Sequence, residues 1–313
     1  MLRVGVVGVG HLGRHHARIY AAMPTVQLVG IADINSERGQ ELAAEYRTTY
    51  YQDYRALIPQ VDAISLAVPT TAHCEIACEF LMAGVAVLVE KPIACTLAQA
   101  DQMIALAKAK GVCLQVGHLE RFNPAVVAVR ELVTTPRFFE VHRLSLFSPR
   151  SLDIDVVMDL MIHDLDIINY LVQSPLTNIS AVGVPVISPR FDIANARLEF
   201  ANGCIANITA SRISNERTRK LRLFQPNDYI SLDYLHQQAG IWSLRPAAGM
   251  PVIETRALPI TKDEPLRLEI AAFVTAVTQQ QPPLVDGQQG RVALDLALTV
   301  SDRIATAAQN IVN

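Results

Sequence analysis

The sequence predicts an α/β protein in two parts: a doubly wound parallel sheet, then an α+β region with a largely antiparallel open sheet. Three observations carry this. Over residues 1–118, short β-branched runs alternate with helical periodicity, which requires crossover connections and therefore parallel strands. Beyond residue 117, strand-like runs follow one another with no helix between them, as in an antiparallel sheet. The chain has 313 residues, 50% of them hydrophobic, enough to fill two cores of roughly 150 residues each. The boundary is placed between 118 and 119, giving parts 1–118 and 119–313.

The elements follow in order. "LRVGVVG" is a strand, residues 11–22 a helix, "VQLVGIAD" a strand, and a second helix starts at Ser36, a plausible N-cap. "DAISLAV", a helix over 72–83, "VAVLV", a helix over 97–110 and "VCLQVG" complete the first part. The second part opens with a helix over 124–133 and the strand "RFFEVHRLSLFS". A helix over 156–172 precedes "ISAVGVPVI", "ANARLEF", "CIANITASR", "KLRLFQ", "YISLDY" and "GIWSLR". Two helices, 266–279 and 291–308, close the chain, and "RPAAGMP" is the clearest break.

Composition narrows the function. The net charge of −3 comes with no long run of one sign, so there is no basic surface for nucleic acid. No window reaches the ~18 apolar residues of a membrane span, and the N-terminus is too glycine-rich for a signal peptide. Five cysteines without CxxC spacing read as buried, unpaired thiols. A cytoplasmic setting and a homo-oligomer, dimer or tetramer, are the expectations.

Gly8-Val9-Gly10-His11-Leu12-Gly13 is a GxGxxG directly after the first strand and at the start of the first helix, the context this motif requires. Glycines permit a tight turn and close approach of the backbone to a pyrophosphate, while the helix N-terminus supplies N–H groups and partial positive charge. Asp33 ends the second strand, where a carboxylate accepts ribose hydroxyls and repels a 2′-phosphate. Together these predict a Rossmann-type NAD site, with nearby Arg38 leaving NADP use open. In "AVPTTAH", Pro69 stops a strand, Thr70 or Thr71 is a candidate helix cap, and His73 opens the helix. The segment reads either as a simple cap or as a wall beside the cofactor.

Two further motifs carry charge into apolar surroundings. Glu90-Lys91-Pro92 follows the apolar run of residues 85–89, where a lysine must be paired or used. In "VVMDLMIHDLDIINYL", Asp159 and His163 stand at i and i+4 and share a helix face, with Asp166 one turn further on. An acid beside an imidazole fixes its tautomer and raises its basicity, as a general base needs. A satisfied core histidine is the bland reading. A metal site lacks a third histidine, and no metal is expected.

Taken together, GVGHLG, AVPTTAH, EKP and "DLMIHDLD" resemble the Gfo/Idh/MocA oxidoreductases, over essentially the whole chain. The last motif is similar to that family's DxGxHxxD, with Met161 in place of glycine. The resemblance implies an NAD-dependent dehydrogenase with Lys91, Asp159 and His163 as its catalytic set. It places Gly8, Gly10, His11, Leu12, Gly13, Asp33, Pro69, Thr70, His73 and Glu90 at the cofactor. "VGHLERFNPAV" resembles the nucleotide-sugar 3-dehydrogenases within the family, which act on UDP-N-acetylglucosamine or its uronic acid. That likeness puts Glu120, Arg121 and Asn123 near the substrate, and Arg150 is a candidate for a diphosphate. For Glu120, Arg121 and Asn123, capping and pairing at the domain crossover is the competing reading. A dehydrogenase of a free polyol or sugar, and a non-catalytic dinucleotide sensor, remain alternatives.

Overall fold

The computed structural model describes residues 1–148, 154–245 and 250–312. The chain forms two compact units, one of residues 1–119 with 264–294 and the other of residues 120–263 with 295–313. The closing helices are thus divided, whereas the sequence boundary keeps them together in the second part.

The first unit contains strands β1 (Leu2–Val7), β2 (Val26–Ala32), β3 (Thr49–Tyr51), β4 (Ala63–Leu66), β5 (Ala86–Glu90) and β6 (Leu114–Gly117). Their order is β3-β2-β1-β4-β5-β6, and every pairing is parallel. Helices α1 (Gly13–Ala22), α2 (Ser36–Glu45), α3 (His73–Met82) and α4 (Leu97–Lys110) make the crossovers. The N-cap of α2 is Asn35, which accepts the Arg38 N–H at 3.0 Å, and Ser36 is the first helical residue. No side chain caps α3, so neither Thr70 nor Thr71 plays that role there.

Helix α7 (Pro265–Gln279) joins this unit because Ile270, Phe273 and Val274, spaced for one helical face, pack on the core of Val4, Val6 and Ile31. All five cysteines are free, and burial pushes the Cys78 and Cys113 thiols up to about 12.

The second unit contains α5 (Pro124–Arg130), β7 (Phe138–Leu144), α6 (Ile162–Val172), β8 (Leu176–Val184), β9 (Ile193–Phe200) and β10 (Ile205–Ser211). It continues through β11 (Thr218–Gln225), β12 (Asp228–Asp233), β13 (Gln238–Arg245) and β14 (Val252–Ala257). Helix α8 (Gly287–Val312) runs from the first unit's residues into the second's. The eight strands are ordered β14-β13-β12-β11-β7-β10-β9-β8 and are antiparallel except where β7 lies parallel to β10. Along β7, Phe139, Val141 and Arg143 are buried and their neighbours are not, so one face is core and the other is open. The open face carries a stack of Phe138, Phe224, Tyr229 and Trp242 with ring centroids 5.8, 4.9 and 4.9 Å apart. No helix among the described residues is long and apolar enough to cross a membrane.

Candidate active site

The turn after β1 is built for close approach. Gly8 has φ +82°, and a Cβ there would stand 2.7 Å from the Ala67 carbonyl oxygen. A Cβ on Gly13 would overlap the Gly8 carbonyl oxygen. A Cβ on Gly10 would meet nothing within 4 Å, so this glycine faces open space at the mouth of a cavity. That cavity, ≈ 510 Å³, is bounded by Gly8, Gly10, Asp33, Arg38, Val68 and Pro69 among others. His11 and Leu12 lie exposed at the start of α1. This cradle, with a helix N-terminus behind it, fits a dinucleotide pyrophosphate.

Asp33 is buried and already engaged. Its Oδ2 accepts the Val9 N–H at 2.8 Å and its Oδ1 the Asn35 N–H at 2.8 Å. Arg38 Nη2 donates to both oxygens, at 2.9 and 3.1 Å. The carboxylate therefore ties the glycine turn to the end of β2, and Arg38 screens its charge at the cavity rim.

Lys91 follows β5 across a cis bond to Pro92, and it is half-buried between the buried Glu90 and Pro92. The Glu90 carboxylate is turned inward. Its Oε1 lies 3.0 Å from His16 Nε2, and its Oε2 accepts the Lys91 N–H at 3.2 Å. Burial works to raise the Glu90 pKa, but His16 and Lys91 outweigh it and hold the group below the ordinary carboxylate range. His73 is buried, with ring nitrogens 3.0 Å from the carbonyl oxygens of Pro92 and Val68. Burial lowers its pKa, so the ring is neutral at pH 7 and its single N–H donates to one of these two carbonyls. Thr70 is half-buried beside an exposed Pro69.

Asp159 and His163 do not lie on one regular α-helix. A π-helical turn, Val157–Met161, carries Asp159, and α6 begins after it with His163 in its first turn. The Ile162 N–H bonds to the Val157 carbonyl, five residues back, which widens the turn between the two side chains. Asp155 fixes the entrance, accepting the Met158 N–H at 2.9 Å and Ser301 Oγ at 3.2 Å. Both Asp159 and His163 are half-buried, whereas Asp164, Leu165 and Asp166 are buried.

Glu120, Arg121 and Asn123, read from sequence either as substrate contacts or as capping and pairing residues, are buried in the second unit within an ion-pair array. Arg121 grips Asp166 bidentately at 2.6 and 2.8 Å and lies 3.8 Å from the centroid of the Tyr170 ring. Glu120 accepts Arg143 Nη1 at 3.0 Å and Asn123 Nδ2 at 3.1 Å. Asn123 Oδ1 caps α5 by accepting the Ala125 N–H at 3.0 Å. Arg143 also holds Asp164 at 2.6 and 2.9 Å. Burial opposes the Arg143 charge, yet Asp164 and Glu120 hold the guanidinium above its ordinary value. Arg150 lies outside the described residues. Arg143, missed from sequence, is the last inward-facing residue of β7, and a charge at that alternating position was the signal that could have found it.

Residues 2–118 match a family model described as an oxidoreductase family with an NAD-binding Rossmann fold. Residues 135–225 match the GFO/IDH/MocA C-terminal domain. The chain is 40% identical over 310 residues, 98% of each chain, to a UDP-N-acetylglucosamine 3-dehydrogenase of Acidithiobacillus ferrooxidans. A solved structure of that name from the same organism is similar with TM-score 0.91, 39% identity and 97% coverage of both chains. A myo-inositol 2-dehydrogenase of Thermotoga maritima is 26% identical, covering 94% of this chain and 93% of that one.

Proposed function

The chain belongs to the Gfo/Idh/MocA oxidoreductase family, and we propose that it oxidises the 3-hydroxyl of a UDP-linked N-acetylated sugar to the ketone, using NAD. One observation carries this reading: the 40% identity over 98% of both chains to a UDP-N-acetylglucosamine 3-dehydrogenase. The inositol dehydrogenase is more distant, at 26%.

In this reading the turn of residues 8–13 and Asp33 would hold the cofactor, which when bound would supply the hydride acceptor for oxidation at the sugar's C3. His163 removes the proton of the 3-hydroxyl, and Asp159 orients the imidazole from the preceding turn. Lys91 donates a hydrogen bond to the same oxygen and offsets the negative charge that develops there. Lys91 comes from the first unit and the other two from the second, so their convergence is part of the proposal. What supports it is that all three are half-buried beside buried neighbours. UDP contributes remote binding energy that aligns C3 for transfer. The product ketone suits an aminotransferase that makes a 3-amino sugar.

The setting is the reducing cytoplasm, where five free thiols persist. The protein works as a homo-oligomer joined through the open face bearing Phe224, Tyr229 and Trp242. Sedimentation of Trp242→Glu, expected to be smaller than wild type, tests that part.

The activity test incubates the protein with NAD and UDP-N-acetylglucosamine, with a sugar aminotransferase and glutamate to draw the equilibrium forward. NADH and a mass shift to the 3-amino product are expected. Turnover of myo-inositol with none of the UDP-sugar would overturn the substrate assignment and leave the family standing.

A further inference from the structure

The π turn that carries Asp159 is entered from a clamp built elsewhere in the second unit. Its centre is an ion pair between Asp192, the residue before β9, and Arg212, the residue after β10, both almost wholly buried. Asp192 Oδ2 accepts the N–H groups of Val186, Ile187 and Ser188 at 2.7, 2.7 and 3.0 Å. Its Oδ1 accepts Ser188 Oγ at 2.8 Å and Arg212 Nε at 2.9 Å. Burial opposes the Asp192 charge, but the donors from Ile187, Val186 and Ser188 outweigh it and hold the carboxyl well below its ordinary range. The connection between β8 and β9 is thereby wound around one carboxylate.

Arg212 carries that fixed point to the segment before α6. Its Nη2 donates to Ser188 Oγ at 2.9 Å and its Nη1 to the Ile154 carbonyl at 2.8 Å. The planar fork thus joins three stretches of chain that are distant in sequence, which a single point donor could not do. A second bond runs alongside, from the Val156 N–H to the Phe191 carbonyl at 3.0 Å. Ile154 and Val156 are therefore both held, one on each side of Asp155. The Asp155 carbonyl in turn accepts the Asp159 N–H at 3.1 Å. Two hydrogen bonds and one step along the chain connect the Arg212 guanidinium to the Asp159 backbone.

A π turn is a rare form, and the surrounding structure must hold it against the α form. At its far end the hold is α6, which buries Leu165, Ile168 and Leu171. At its entrance the hold is the clamp. Releasing the entrance lets the turn tighten toward the α form, which rotates Asp159 about the helix axis relative to His163. We propose that Asp192 and Arg212 are positioning residues for the dehydrogenation: they anchor the entrance of the π turn and so set how Asp159 faces His163. The proposal rests on the roles given to Asp159 and His163 under the proposed function. Both clamp residues act through Asp159 and not on the reacting atoms.

Arg212→Lys separates the anchor from the ion pair. The ammonium keeps a charge beside Asp192, but one nitrogen cannot fill the three positions of the guanidinium. Its kcat is expected to fall about 10- to 100-fold with KM little changed, as for a misplaced reacting group. Arg212→Met, which removes the charge as well, should lose more; where it does not fold, Arg212→Lys alone decides. Hydrogen–deuterium exchange needs no substrate and should quicken over residues 156–161 in Arg212→Lys, with β12 of the same unit at its wild-type rate. Leu223→Ala is the stability control. Leu223 lies opposite Phe139, toward the other end of the sheet from Ser211 and Leu144, where the clamp sits. It should lower the urea midpoint and leave kcat at the wild-type value. A wild-type kcat in Arg212→Lys overturns the proposal and leaves the pair a structural one. So does exchange that rises across the whole unit, or an equal loss of kcat in Leu223→Ala. Failure of the wild type to oxidise a UDP-sugar would instead strike the substrate assignment. The exchange pattern, and turnover of whichever sugar or polyol the wild type does oxidise, would still judge the clamp.

Discussion

Each unit buries charge, and the two do so in opposite ways. In the second, Arg143 spans Glu120 and Asp164, and Arg121 grips Asp166 bidentately. Opposite charges there meet at 2.6 to 3.0 Å, and the side chains are almost wholly enclosed. In the first, Glu90 has one histidine, His16, beside it, and the Glu269 carboxyl is buried with no protein partner. Paired burial is what a structural girder looks like: desolvation is recovered by geometry. Unpaired burial leaves the desolvation unrecovered, and the Glu269 carboxyl answers by keeping its proton.

The largest effect should come from Lys91→Met and His163→Ala, each losing about 10²–10⁴ in kcat with NAD binding near wild type. Single-turnover kinetics and calorimetry check the two halves of that statement. Wild-type rates would return Lys91 to a simple charge pair with Glu90.

Next is Arg143→Met, which strands Glu120 and Asp164 in a dry interior. A loss of about 3–5 kcal/mol in urea unfolding is expected. A loss below about 1 kcal/mol would mean the array is not a girder. Asp33→Ala should then raise KM for NAD by about tenfold, since a charged acceptor is lost, and Arg38, freed from the carboxylate, should improve NADP relative to NAD. Equal preference in variant and wild type removes Asp33 from cofactor choice.

The smallest effect is a slope. Glu269 is protonated in the fold at pH values where the unfolded chain, with its ordinary pKa of about 4.3, has ionised it. Its contribution is complete below that unfolded value and declines as pH rises toward the folded one. Glu269→Gln lacks this decline. The variant should therefore gain stability relative to wild type as the pH rises above about 4. Parallel urea midpoints across that range would show that Glu269 carries its charge in the fold.

What could be read from sequence follows the range of the interactions. The Gly8–Gly13 turn and helix α4, with Thr96 at its start and Gly111 at φ 64° past its end, depend on neighbours a few residues away and were legible. The spacing of Asp159 and His163 was legible, but the π turn was not. A five-residue bond in place of a four-residue one is decided by packing. Arg143 finds its partners 21 and 23 residues away, and His16 meets Glu90 at a separation of 74. No local pattern announces such pairs. Arg121 likewise finds Asp166 at a separation of 45, while the Asn123 cap on α5 is local and matches the capping alternative read from sequence. Strand β14 was missed because it is exposed throughout and shows no alternation, and β3 because it is only three residues long.

The parallel pairing of β7 with β10 has a consequence for synthesis. Strand β7 sits between β11 and β10, with Phe138 opposite both Phe224 and Ile205. It leaves the ribosome before either neighbour exists. At about 5–20 residues per second, the nascent chain carries its central strand unpaired on both edges for several seconds. Phe139 and Val141 are apolar and lie on what becomes the core face. During that interval β7 is the segment most open to a wrong strand partner, so mutations that slow β10 or β11 should show first as lost yield in cells and only later as lost activity in purified protein.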